Sequence, residues 1–165
     1  MPAANTTSRK PSGKQTAVGA GAVAAILAAA ALFVQPWEGR EFKPYRDAVG
    51  VLSVCDGHTG HDVKQGRTYS KAECDAWLAT DIGRAYRQVE LCISTPLTHN
   101  QAVALTSAAY NIGPSVVCGS TLQRLANAGD MRAACAQLDR WVYAKGQKLK
   151  GLVRRRAAER ALCES

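Results

Sequence analysis

The six cysteines of this chain form no C-x-x-C pair, which excludes zinc-ribbon and thioredoxin-type chemistry. No internal repeat is visible, which excludes solenoids and propellers. Acidic side chains are scarce: 13 Asp and Glu stand against 21 Lys and Arg, giving a formal net charge of +8. That balance suits a polyanionic partner such as nucleic acid, anionic lipid or bacterial cell wall, and solubility alone explains it equally well. No charged residue lies between Gln15 and Trp37, so this stretch is not an ordinary solvated loop. No cysteine precedes residue 55.

What is present divides the chain into three. Residues 1–15 form a polar basic tail charged only at Arg9, Lys10 and Lys14. The uncharged stretch that follows is Ala- and Gly-rich, and as a helix it spans roughly 34 Å, enough to cross a bilayer core. Its strong apolar groups are few (Val18, Val23, Ile26, Leu27, Leu32, Phe33, Val34), so it anchors weakly. Positive charge before it predicts a cytoplasmic N-terminus. An uncleaved marginal anchor over 16–36 is favoured; a cleaved signal peptide and a buried soluble helix stay open. Residues 37–165 form the globular domain, and cysteines at 55, 74, 92, 118, 135 and 163 read as three disulfides in an oxidising compartment. Spacing alone selects none of the possible pairings.

The domain reads as α+β and mainly helical. Residues 40–63 predict turns and short strands, with Val49–Leu52 and Ser53-Val54 strand-like. Ser70 with Glu73 and Thr98 with Gln101 are capping boxes that open two helices, the second stopping at Gly113-Pro114. A short helix from Ser120 or Thr121 to Ala126, another from Asp130 to about Arg140, and a last one over 150–163 complete the pattern.

Glu38 and Asp47 are the first chemical candidates. Glycoside hydrolysis needs one carboxyl that donates a proton and one that handles water or the developing cation. Ser53 adds a hydroxyl that can orient water. His58 and Asp81 read as a structural pair bolting sheet to helix, because Asp81 falls on the apolar stripe of its helix. The run Arg154-Arg155-Arg156, with Lys148, Lys150 and Arg160, reads as a solvated face or a contact for acidic wall groups.

These residues carry a resemblance. Trp37-Glu38-Gly39, Lys43-Pro44-Tyr45-Arg46-Asp47 and the stretch from Gly50 to Gly60 resemble the active-site region of phage-type lysozymes, glycoside hydrolase family 24. That family shows a Glu, eight residues, an Asp, five residues, then a Thr; here Ser53 replaces the Thr. Leu97–Ala102, Ala109–Gly113, Ser120–Leu122, Asn127–Asp130 and Gly151–Arg160 are similar to its later segments, so the resemblance covers roughly 37–163. It implies a lysozyme-like fold with a small antiparallel sheet near the start of the domain and a helical C-terminal lobe. It also implies peptidoglycan as substrate, no cofactor, no metal, no nucleic-acid partner, and a monomer. Glu38 would be the general acid, and Asp47 with Ser53 would activate water, cutting β-1,4 bonds with inversion. His58 and Asp81 match a paired His and Asp of the family. The Ala/Gly-rich start resembles the signal-anchor-release segment of some of these endolysins, which the host's secretion machinery exports. Such an enzyme sits in the inner membrane with its catalytic domain in the periplasm, inactive until released there. Similar endolysins carry cysteines near 55, 74, 135 and 163, implying pairs 55–74 and 135–163 and leaving Cys92–Cys118. Position 16–36 holds no cysteine, so activation would proceed by refolding of the anchor rather than by thiol exchange. A lytic transglycosylase and a non-catalytic wall-binding module are the alternatives.

Overall fold

One stripe of residues decides where the apolar segment goes. In the computed structural model, which describes residues 19–47 and 50–165, helix α1 runs Ala20–Glu38. The polar tail, the first residues of the apolar segment and Val49 of the strand-like run lie outside the described residues. Ile26, Ala30 and Val34 recur every fourth position, share one face, and are buried. They pack on Leu78, Ile82 and Tyr86 of α2 (Lys71–Cys92) and on Ala102 and Val103 of α3 (His99–Ile112). The opposite face stays open, with Leu32 72% exposed. With 19 residues and a mean hydropathy of 1.7, α1 is also long and apolar enough to cross a membrane. It ends at Gly39, whose φ of 55° is a left-handed cap that glycine adopts without steric cost.

Three short antiparallel strands follow: β1 (Glu41–Arg46), β2 (Leu52–Cys55) and β3 (His58–Thr59), in that spatial order. Tyr45 pairs with Ser53, and Ser53 with Thr59. The β1–β2 register is irregular between Glu41 and Tyr45, where Pro44 has no N–H to give to the ladder. Val54, Cys55, Val63, Tyr69 and Cys74 form a small core beneath the sheet.

Both capping boxes are made in full, with side chain and backbone bonds at Ser70/Glu73 and at Thr98/Gln101. α3 is buried without interruption from Ala102 to Ala109, as a central helix surrounded by others must be. Beyond it come a 3₁₀ turn (Pro114–Val116), α4 (Thr121–Asn127) and α5 (Met131–Ala136), then a 3₁₀ turn (Gln137–Arg140) and α6 (Lys150–Glu164). The helix expected from Asp130 to Arg140 is thus α-helical only to Ala136 and tightens afterwards. Sequence reading also missed the hairpin β4 (Tyr143–Ala144) and β5 (Gln147–Lys148). Its turn is Lys145-Gly146, both at positive φ, as a two-residue hairpin turn requires.

Disulfides join Cys55 to Cys74, Cys92 to Cys118 and Cys135 to Cys163. They tie the sheet to α2, the end of α2 to the segment after α3, and α5 to α6. Closing loops of 19, 26 and 28 residues restricts the unfolded chain, by about 3–4 kcal/mol each in the chain-entropy picture. The mainly helical α+β fold with its small antiparallel sheet is the one anticipated from the sequence.

Candidate active site

Glu38 is the last residue of α1, so the packing of the apolar stripe sets its position. It faces a cleft of ≈550 Å³ whose walls include Gly57, Thr59, Asp81, Tyr110 and Asn111. Gly57, at φ 86°, is the residue of the β2–β3 turn that passes near Glu38 Oε2. The Glu38 side chain is 17% exposed, and its Oε1 accepts a hydrogen bond of 2.5 Å from Nη1 of buried Arg155.

The chain leaving Glu38 is clamped at once. Arg40 grips Asp56 with Nε and Nη2 and reaches Asp75 with Nη1 at 2.6 Å. The exit from α1 is thereby fixed to the β2–β3 turn and to the N-terminal part of α2. The Asp75 carboxyl is held below its ordinary value of 3.8 by hydrogen bonds from Lys71 first and Arg40 second. A depressed carboxyl contributes stability that is present above its unfolded value and lost as pH falls through its folded one. Asp75→Asn is therefore expected to lower Tm above pH 3.8, with the deficit shrinking as the pH drops below it; thermal unfolding across acid pH measures this. An equal deficit at every pH would show that the Asp75 charge contributes nothing.

Asp47 closes the turn between β1 and β2. Its Oδ1 accepts from the Val51 N–H at 2.9 Å, and its own N–H donates to the Val51 carbonyl. Ser53 is buried, with its hydroxyl donating to the Val51 carbonyl at 3.3 Å. Of the three candidates Glu38 lines the cleft, whereas Asp47 and Ser53 are not among its lining residues. Residues directly opposite in an antiparallel pair share a face, so Tyr45, Ser53 and Thr59 lie side by side. The Tyr45 phenol is pushed up by burial, then by the negative charges of Glu38 and Asp47, so the fields of both carboxylates meet at this ring. Tyr110, whose hydroxyl donates to the Asp56 carbonyl, is pushed far up by burial and then by Glu38, and stays a neutral donor.

His58 sits with Nδ1 2.7 Å from Asp81 and Nε2 3.2 Å from Asp62, stacked on Trp77 at 4.3 Å. Arg84 holds the other oxygen of Asp81. Both ring nitrogens are thus occupied, which suits a brace between sheet and α2. Among the described residues, no three His, Cys, Asp or Glu side chains converge so as to hold a metal ion.

The basic run is not one solvated face. Arg154, Lys148 and Lys150 are exposed, but Arg155 and Arg156 are buried rather than solvated or free for the wall. Burial is tolerable because each is paired: Arg155 with Glu38 and Glu159, Arg156 with Glu159 and Asn111. Arg160 pairs on the surface with Asp139 and Glu164. Arg155, Glu159, Thr59 and Tyr110 were not picked out as site residues from the sequence: the i, i+4 spacing of Arg155 and Glu159 was a local signal, but nothing local announces the Glu38 partner of Arg155, 117 positions away.

The family model described as Phage lysozyme matches residues 35–159. The SAR-endolysin of Bacteriophage PS119 is 44% identical over 145 residues, covering 88% of this chain and 87% of that protein. The SAR-endolysin of Enterobacteria phage P21 is 43% identical and covers 88% of each. Among solved structures, the muramidase domain of SpmX from Asticaccaulis excentricus superposes with a TM-score of 0.76 at 30% identity, covering 83% of this chain and 95% of that one.

Proposed function

The chain belongs to the phage lysozyme family, and we propose that it is an endolysin that hydrolyses peptidoglycan between N-acetylmuramic acid and N-acetylglucosamine. Glu38 gives its proton to the glycosidic oxygen as the bond from the anomeric carbon to that oxygen breaks. Asp47, with Ser53 beside it, takes a proton from the water that bonds to the same carbon from the opposite face. The anomeric configuration inverts, and no cofactor takes part. Arg155 holds Glu38 at the cleft through its 2.5 Å bond. His58 and Asp81 brace the wall that carries Thr59.

The observation that carries this reading is that the candidate acid and the apolar segment are one element, α1. While α1 lies in the inner membrane, N-terminus in the cytoplasm and domain in the periplasm, its stripe cannot pack on α2 and α3. Glu38 is then held at the bilayer edge and the enzyme is silent. The secretion machinery would deliver this state. Release into the periplasm lets Ile26, Ala30 and Val34 find their partners, which draws Glu38 into place. Residues 1–15 act as the retained basic tail and 37–165 as the catalytic domain. The weak apolar character of α1 supports release, since a stronger anchor would not leave the bilayer.

Digestion of purified peptidoglycan in water enriched in heavy oxygen tests the chemistry. The expected product ends in a reducing N-acetylmuramic acid that carries one solvent oxygen and is first formed as the inverted anomer. An anhydro sugar without solvent oxygen would make the protein a lytic transglycosylase. No soluble product at all would leave only a wall-binding role.

A further inference from the structure

Glu159 has no place in the mechanism above, yet it is a fully buried carboxyl beside the site. Its Oε1 accepts from Ser107 Oγ at 2.7 Å, Arg156 Nη2 at 2.8 Å and Arg155 Nε at 3.2 Å. Its Oε2 makes no hydrogen bond among the described residues. Burial pushes the Glu159 carboxyl up, against the pull of Arg156, Ser107 and Arg155, and pushes the Arg156 guanidinium down. Buried ion sets are poor sources of stability, because apolar side chains of similar volume usually do as well. Geometry is the better reason to keep this one.

Two groups at the cleft depend on it. The guanidinium of Arg155 is a rigid plane, so fixing its Nε edge fixes the direction of Nη1, which meets Glu38. Arg156, held by the same oxygen, donates to Oδ1 of Asn111, a residue of the cleft wall. We propose that Glu159 is a positioning residue for the reaction: through Arg155 it aims Glu38, and through Arg156 it seats Asn111. It also divides the charge of Arg155 between two carboxyls, so that the acid does not face an undivided cation. Asp56 from the β2–β3 turn and Asp81 from α2 line the same cleft as Glu38, and Tyr45 from β1 and Tyr110 from α3 sense its charge. The proposal rests on Glu38 being the acid.

The test is steady-state kinetics of the full chain on soluble glycan, with wild type, Glu159→Gln and Glu38→Gln side by side. Glu159→Gln is expected to lower kcat on the order of tenfold, equivalent to about 1.4 kcal/mol, with KM changed less than about twofold. Unchanged kcat in a folded but less stable variant would overturn the proposal and leave Glu159 structural. If Glu159→Gln does not accumulate folded, the double variant with Arg155→Gln is compared with Arg155→Gln alone. A further loss no larger than that of Asn111→Ala in the same background supports the proposal, and a larger one overturns it. An active Glu38→Gln would remove the premise instead, which keeps the two failures apart.

Discussion

Glu38→Gln is expected to slow the clearing of outer-membrane-permeabilised Gram-negative cells by at least about a hundredfold, a loss of roughly 2.7 kcal/mol or more of transition-state stabilisation. The substitution keeps the size of the side chain and an oxygen for Arg155 to meet, but not the proton. Arg155 stays partnered by Glu159, so little of the buried charge is stranded. Tm should therefore remain within about 5 °C of wild type, and the loss can be assigned to chemistry. A turbidity assay on purified protein decides it. Equal clearing by both proteins would show that Glu38 is not the acid, whatever the resemblance suggests. A wild type that binds cells and never clears them would point to a wall-binding protein with the fold of an enzyme.

The features legible in the sequence are those whose cause is local. Ser70 with Glu73, and Thr98 with Gln101, announce helix starts because each pair satisfies backbone donors within four residues. The Lys145-Gly146 turn is just as local, but a Lys at positive φ is too rare to be expected, and the hairpin went unseen. The spacing of Glu38, Asp47 and Ser53 suggests a glycosidase only through resemblance, since two carboxyls nine residues apart occur in most proteins. The alignment of Tyr45, Ser53 and Thr59 depends on a strand register disturbed near Pro44, which pattern alone does not supply. The misreading of Arg155 and Arg156 has the plainest cause. Three consecutive arginines count as surface unless buried partners are known: Glu159 lies within one turn of them on α6, but Glu38 reaches Arg155 only after α1 and α6 have packed.

Val34→Asp is expected to silence the released protein by more than about a hundredfold without unfolding the rest of it. Val34 is fully buried and lies one helical turn before Glu38, on the same face. A carboxylate there has no partner in the cluster of Leu78, Ile82, Tyr86, Ala102 and Val103. An unpaired buried charge costs several kcal/mol, more than a stripe of three modest side chains on α1 gains by docking. The helix should leave and carry Glu38 with it. The second core around Leu105, Val116, Leu122 and Leu138 does not include α1, and none of the three disulfides involves α1. Limited proteolysis should therefore cut near residues 20–38 while the remainder resists. Leu32→Asp, on the open face, adds the same charge to the same helix and should leave clearing intact. That contrast separates docking from mere hydropathy: a general effect of charge on α1 would weaken both variants alike. If Val34→Asp clears cells as fast as wild type, the acid reaches its place without the stripe, and the link between anchor release and activation is lost.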